Sequence, residues 1–488
     1  MSRVCLSTLR LSAILLLANA MPAVAHTPHI CPPGVNDAPT FVAHQQQNDL
    51  LKMHFEQVFE IGQRLFIDDF NQCDGAGRPG TNGSIAARRP DPLEGPRFTR
   101  VSAPEADSCA GCHAQPQAGG AGDFVANVFV LAQNQIPVSG MILDEDFSQT
   151  FLERNTLGMF GSGAIEELGR EMSADLAALK MKALNIAASS GQEATVDLLT
   201  KGVSFGRLIA QPDGSLDLSE VQGVDPDLII RPFSRKGVQR SVREFTVGAM
   251  NQHHGMQATE RYGEGTDPDQ DGITDELSIG DITALTIFQT GLPAPIQTEP
   301  KDSVTRRGKE LFEKVGCVSC HVPSLPLNNI EFCDPDPMNP AKGAFKTFND
   351  TTQSYCFDLR RTGIDGGEVF AYTDLKRHSI CDNLKTHYCN EPSSIPQLSD
   401  GGVPIPYDQF LTAKLWDVGN SAPYGHRGDL DTIYAAIVNH GGEAAVVEAQ
   451  YEALSAAEQS AIVAFLKTLR MPLISGNPNP QQPGSPRL

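Results

Sequence analysis

The chain is poor in positive charge, in tryptophan and in long apolar runs. Its 38 Lys and Arg stand against 59 Asp and Glu, a formal net charge of −21. Such a balance repels nucleic acid and anionic lipid and favours a basic protein partner or none in particular. Tryptophan occurs once, at Trp416, so no other position can supply an indole. Past residue 20 no apolar stretch reaches the length of a transmembrane helix. The run from Leu11 to Ala20 is itself too short. Arg3, Arg10 and the small residues Ala23-Val24-Ala25 give it the form of a secretory signal over 1–25. Cleavage there leaves 463 residues from His26 (488 − 25) and, with both arginines gone, a charge of −23 (−21 − 2). An exported chain of that length, without membrane insertion, is expected to form two or three domains.

What is present is concentrated in two pentapeptides, Cys109-Ala110-Gly111-Cys112-His113 and Cys317-Val318-Ser319-Cys320-His321. With 11 Cys and 12 His, composition alone predicts roughly 0.006 such pentapeptides. The spacing is that of c-type haem attachment. Two thiols form thioethers to one edge of the porphyrin, and the histidine ring swings beneath the iron as proximal ligand. A structural zinc site wants four ligands in closed spacing, and a redox dithiol has no need of the histidine twice. The chain therefore reads as carrying two covalently bound haem c, through Cys109, Cys112, Cys317 and Cys320, with His113 and His321 on the irons. Attachment of this kind takes place outside the bacterial cytoplasm, in keeping with a periplasmic protein. Apart from Cys5 in the signal, Cys31, Cys73, Cys333, Cys356, Cys381 and Cys389 remain. In an oxidising compartment six cysteines allow three disulfides in fifteen pairings. The local pairs Cys333–Cys356 and Cys381–Cys389 are expected, against the alternative of buried thiols.

Apolar residues at three- and four-residue steps predict a helix from Phe55 to Phe70. It contains Gly62-x-x-x-Phe66, and Gly308-x-x-x-Phe312 repeats that pattern ahead of the second pentapeptide. In small haem domains a glycine lets two terminal helices cross closely, with an aromatic at the crossing. Ser241 to Met250 and Ile279 to Thr290 also look helical. A closing helix starts at the capping box Ser455-x-x-Glu458 and stops at Pro472. Val203 to Val221, with Pro212-Asp213-Gly214 in the middle, reads as a hairpin. Arg78 to Pro96 is an inserted loop, Gln222 to Pro232 an irregular crossing, and 321–415 a stretch of loops stapled by disulfides. The expected fold is mainly α: two cytochrome c-like haem domains with long loops and a small β-hairpin insertion. The N-terminal haem domain covers 26–298, the C-terminal one 299–474, and 475–488 is a disordered tail.

Two haem motifs about 200 residues apart, with Leu415-Trp416-x3-Asn420-x2-Pro423-Tyr424-x-His426 and Asn439-His440-Gly441-Gly442-Glu443-Ala444, resemble the di-haem cytochrome c peroxidase superfamily. The closest resemblance is to its di-haem oxidoreductase branch, also labelled thiol oxidoreductase-like. Arg154-Asn155-Thr156, Gly161-x-Gly163-x2-Glu166, Arg243-Glu244-Phe245, His254-Gly255, Gly265 to Glu276 and Gly280 to Leu285 match as well. The likeness runs from about 50 to 470, and the chain is also similar to the di-haem rubber oxygenases.

The resemblance implies unlike haems: one six-coordinate and relaying electrons, the other open to a small oxidant. At the second haem it places the sixth ligand at His440; the competing reading is a histidine capping a helix C-terminus. His426 is the runner-up ligand, with a hydrogen bond near that haem's edge as its alternative, and Trp416 lies beside the same segment. At the first haem Glu166 takes the place of the family's distal acid, against a reading as a solvated helix charge beside Glu167. Arg154 is a candidate for orienting substrate or pairing with a propionate, against an ordinary salt bridge. His253 and His254 flank the region, as packed or surface residues or with one reaching the pocket. The peroxidase branch relays electrons through a tryptophan between its haems. None follows Cys112-His113, and Trp416 could simply be core packing.

Asp267-x-Asp269-x-Asp271-Gly272-x2-Asp275-Glu276 resembles a calcium loop, although Ser278 stands where the bidentate Glu belongs. A solvated acidic turn is the alternative.

The expected function is a periplasmic di-haem oxidoreductase that reduces hydrogen peroxide or a similar small oxidant with electrons from a redox protein. The alternatives are a di-haem electron carrier without catalysis and a haem oxygenase of an unsaturated substrate.

Overall fold

The structure, a computed structural model, describes residues 44–76, 108–122, 125–129, 151–267, 272–297, 302–336, 353–389 and 397–472. The signal over 1–25, Cys31, the 78–96 loop, Asp269, Asp271, the 298/299 boundary and the 475–488 tail lie outside these.

The frame is carried by helices α1 (Phe55–Ile67), α2 (Ser162–Ser190), α3 (Val242–Ala249), α4 (Ile279–Gly291), α5 (Ser303–Val315) and α6 (Ala456–Leu466). Each start satisfies its orphan amides locally, except that of α2, which opens on the left-handed Gly161. Capping boxes open α4 at Ser278 and Asp281 and α6 at Ser455 and Glu458, and the Asp302 carboxylate caps α5.

The two glycine-aromatic repeats make two crossings of one kind. A Cβ on Gly62 of α1 would lie 1.9 Å from the Ala284 carbonyl oxygen of α4. One on Gly308 of α5 would lie 2.0 Å from the Ala461 carbonyl oxygen of α6. Only glycine permits either approach. Phe66 then packs on Phe288 with ring centroids 5.0 Å apart, and Phe312 on Phe465 at 5.6 Å.

Small antiparallel sheets fill the space between. Strands β1 (Val125–Phe129) and β2 (Phe151–Asn155) pair, and β3 (Ala194–Thr200), β4 (Val203–Ala210) and β5 (Leu216–Asp217) form a three-stranded meander. The expected hairpin is therefore there, with one strand more than its turn signals indicated. The stretch read as stapled loops holds three further strand pairs, 325–327 with 367–369, 331–334 with 355–358, and 377–379 with 409–411. Cys333 sits directly opposite Cys356 in the second of these, and both expected local disulfides are formed. The fold is thus mixed helix and small sheet rather than mainly α, because these strands are too short to leave a periodic signal.

Two cores result. The smaller belongs to α5 and α6, with Leu311, Phe312, Ile462 and Phe465. The larger surrounds α1, α2 and α4 but also takes in Leu325, Phe332, Phe357, Trp416 and Met471 from beyond residue 299. Among the described residues no helix is long and apolar enough to cross a membrane.

Candidate functional site

The first pentapeptide forms one helical turn, capped by the Ser108 hydroxyl, which accepts from the Gly111 amide at 3.2 Å. His113 ends that turn and donates from Nδ1 to the Leu157 carbonyl at 2.9 Å. A carbonyl only accepts, so the proton is fixed on Nδ1 and the Nε2 lone pair is left over. Burial pushes the pKa of His113 down to about 4, so the ring is neutral. His321 repeats the arrangement: Nδ1 meets the Tyr372 carbonyl at 3.1 Å, and burial again brings the pKa to about 4. Each ring lies near the crossing phenylalanine of its own helix pair, Phe66 at 6.2 Å and Phe312 at 6.4 Å between centroids.

None of the four motif cysteines is in a disulfide, whereas Cys73, Cys333, Cys356, Cys381 and Cys389 all are. Burial lifts the Cys109 thiol to about 12 and Cys317 to about 11. A redox dithiol works through a thiolate and needs the opposite shift. Oriented neutral histidines beside retained thiols are what covalently held haem requires.

The Cys109–His113 segment opens on a cavity of about 200 Å³ as a water molecule samples it. Arg154, His253, His254 and His426 share its wall with Cys109, Cys112 and His113. His254 Nε2 lies 3.7 Å from Cys109 Sγ. Burial and the neighbouring His113 lower the pKa of His253 to about 4. Both histidines thus reach the pocket.

His426 requires a correction. Expected at the edge of the second haem, it lines the first cavity, because its carbonyl accepts from the Asn155 amide at 3.1 Å and draws the 423–426 turn onto β2. The Asn155 side chain also donates to the Pro423 carbonyl at 2.7 Å.

Glu166 is buried but does not line that cavity. One oxygen takes the Arg170 guanidinium at 2.6 Å, and the other takes the Val242 amide at 2.7 Å, at the start of α3. Burial raises its pKa to about 7. Its place is structural, joining α2 to α3.

The acid that does line the cavity is Glu244, a residue whose role the sequence did not single out. It follows the buried Arg243 on α3 and stands against Asp400. Asp400 accepts from Arg231 Nε at 2.5 Å and from the backbone amide and Nε of Arg240 at 2.9 and 2.8 Å. Burial opposes the charge on Asp400, but the two guanidiniums outweigh it and its pKa is lowered. Glu244 Oε2 has no hydrogen-bond donor, and Arg240 Nε is 3.9 Å away. Burial first, then Asp400, push Glu244 up to about 8 despite Arg240 and Arg261. At neutral pH the proton of this pair sits on Glu244.

Near the second pentapeptide, His440 is half-buried and donates from Nδ1 to the Ala436 carbonyl at 2.8 Å. It caps the end of helix Ile433–Val438 and leaves Nε2 clear of that bond. Burial lowers its pKa, and it lies within electrostatic reach of His321.

Trp416 packs in the larger core rather than in the smaller one. A Cβ on Gly161 would meet its six-membered ring at 2.3 Å, and Ala294 touches the same spot. Of the acidic loop, Asp267 accepts from the Gly272 amide at 3.1 Å and Asp275 from the Gly265 amide at 2.7 Å. No model of a known protein family matches the chain, and no curated protein matches it.

Proposed function

We propose that the chain is an exported di-haem c-type oxidoreductase of the peroxidase type, in which an open N-terminal site reduces hydrogen peroxide and a six-coordinate C-terminal site feeds it electrons. The observation that carries this reading is the unequal surroundings of two histidines set up alike. His113 shares a cavity with its two thiols and the Glu244 carboxyl group, while His321 has a second oriented histidine, His440, close enough to influence it electrostatically.

Haem bound at these positions supplies iron centres that accept electrons singly and bind a small oxidant. The chain supplies the rest. His113 and His321 present Nε2, held there by the Leu157 and Tyr372 carbonyls. Reducing one peroxide to two waters consumes two protons and two electrons. Glu244 would give one proton to the departing oxygen and be reprotonated from solvent, which also supplies the second proton, while the redox-protein donor supplies both electrons. Asp400, pinned by Arg231 and Arg240, keeps that proton on Glu244. Arg154 gives the same cavity a positive charge. The electron donor is a redox protein with a basic face, which the acidic chain attracts.

The test is an anaerobic peroxide titration of purified protein, followed by optical and EPR spectra. Two haems per chain, one high-spin and one low-spin, with the high-spin signal lost on adding peroxide, are expected. Absence of Soret absorbance overturns the reading. Two six-coordinate irons inert to peroxide make the chain an electron carrier. Dioxygen uptake with an unsaturated substrate and no reductant makes it an oxygenase.

A further inference from the structure

His378 lies on the short strand 377–379 with both ring nitrogens engaged by carboxylates. Nε2 is 2.8 Å from Asp374 Oδ2, and Nδ1 is 2.8 Å from Glu443 Oε2. Ionised carboxylates only accept, so both nitrogens carry protons and the ring is a cation. Burial works against that charge, but the Asp374 and Glu443 carboxylates that accept from the ring outweigh it and raise the pKa. One ligand atom each of Cys320, Asp374 and His378 falls within 4.8 Å of the others. A metal ion held there would need Cys320 as a thiolate, the sulfur that the second pentapeptide commits to a thioether.

The two acids come from different places. Asp374 follows Tyr372, whose carbonyl orients His321. Glu443 stands three residues after His440 and belongs to the same turn. That turn is tied to the strand and the residues just after it at three further points. The Glu443 carboxylate accepts from the Ser379 amide at 2.9 Å, the Gly441 amide donates to the Ile380 carbonyl at 2.8 Å, and the Gly442 amide donates to Asp382 at 2.8 Å. Glu443 is half-exposed, so the bond that closes the clasp is its outermost one.

We propose that His378 is a positioning residue, a cationic clasp that joins the turn carrying His440 to the segment carrying Asp374 and Tyr372 and so holds His440 in ligating position. This rests on the di-haem reading and adds to it the part that keeps the second site six-coordinate. Because Glu443 is half-exposed and its bond is screened by water, opening the clasp weakens His440 closure by roughly two- to fivefold.

The experiment compares His378→Phe and Glu443→Ala with the unchanged protein, counting haem by the pyridine haemochrome and reading spin state by EPR. Glu443→Ala alters a half-exposed side chain and decides the matter if His378→Phe does not fold. With two haems per chain retained, a fall in the low-spin signal, a matching high-spin gain and its reversal by added imidazole are expected. Variants with two haems and an unchanged low-spin spectrum overturn the clasp and leave the di-haem reading standing. Unchanged protein without haem overturns the di-haem reading, and the clasp with it.

Discussion

At the residue scale the site turns on which carboxyl group keeps a proton. Glu166 and Glu244 are both buried, yet only Glu244 faces the cavity, and the reason lies in who supplies the donors. Arg170 and the Val242 amide occupy both oxygens of Glu166, whereas Arg231 and Arg240 are claimed by Asp400, leaving Glu244 beside a fixed negative charge. Its folded pKa of about 8 lies above the ordinary carboxylate value of 4.5. The neutral acid therefore prevails up to about pH 8, and turnover of peroxide should fall above that point. Glu244→Gln keeps the shape and removes the exchangeable proton. Peroxidase rates should drop by about 10²–10⁴-fold, the usual worth of a positioned acid–base group, and lose their alkaline limb. The stability test runs the other way. Between pH 4.5 and 8 the unfolded chain has released this proton and the folded chain has not, so wild-type stability falls as pH rises through that window. The glutamine variant should show a flatter dependence of Tm on pH, and an unaltered slope would mean that the proton sits elsewhere.

At the scale of elements the two helix crossings were legible from the sequence because glycine and phenylalanine four residues apart repeat ahead of each pentapeptide. Their partners, α4 and α6, announced themselves by apolar periodicity and by the Ser455 capping box. The 29-residue helix α2 did not, although it is the longest described. Its first turns are buried on all sides and its last turns face solvent, so no single apolar stripe runs its length. The strands of 325–411 were equally silent, being three or four residues long and defined by distant partners and a disulfide. The crossings are also where an element is most easily broken. Gly62→Ala or Gly308→Ala puts a methyl where Ala284 or Ala461 presents a carbonyl oxygen, and the helices must part. Each should cost about 1–3 kcal/mol or more, measured as a lower midpoint of chemical unfolding. Because Phe66 and Phe312 adjoin His113 and His321, each variant should disturb the Soret band of its own site and spare the other. Equal disturbance of both sites by either change would show that the crossings are not local supports.

For the whole molecule, the sequence divides at about residue 299 while the packing does not. Leu325, Phe332, Phe357 and Trp416 are chemically part of the second half, yet they complete the core around α1, α2 and α4. Such contacts pair residues far apart along the chain, and no local pattern encodes them. Trp416 is the best witness because it is the only tryptophan. It is buried against Gly161 at the N-terminus of α2, while Leu415 and Val418 on either side reach the smaller core. Its neighbours thus belong to both halves, and neither half can unfold without moving it. Chemical unfolding of the full chain should therefore show the loss of helical circular dichroism and the red shift of Trp416 emission at one denaturant concentration. Trp416→Phe keeps an aromatic but loses part of the filled volume, and it should lower that common midpoint for both the helical signal and the Soret bands. A tryptophan shift that precedes the loss of helix would instead mean that the halves separate first, and that the larger core holds together without the residues it takes from beyond 299.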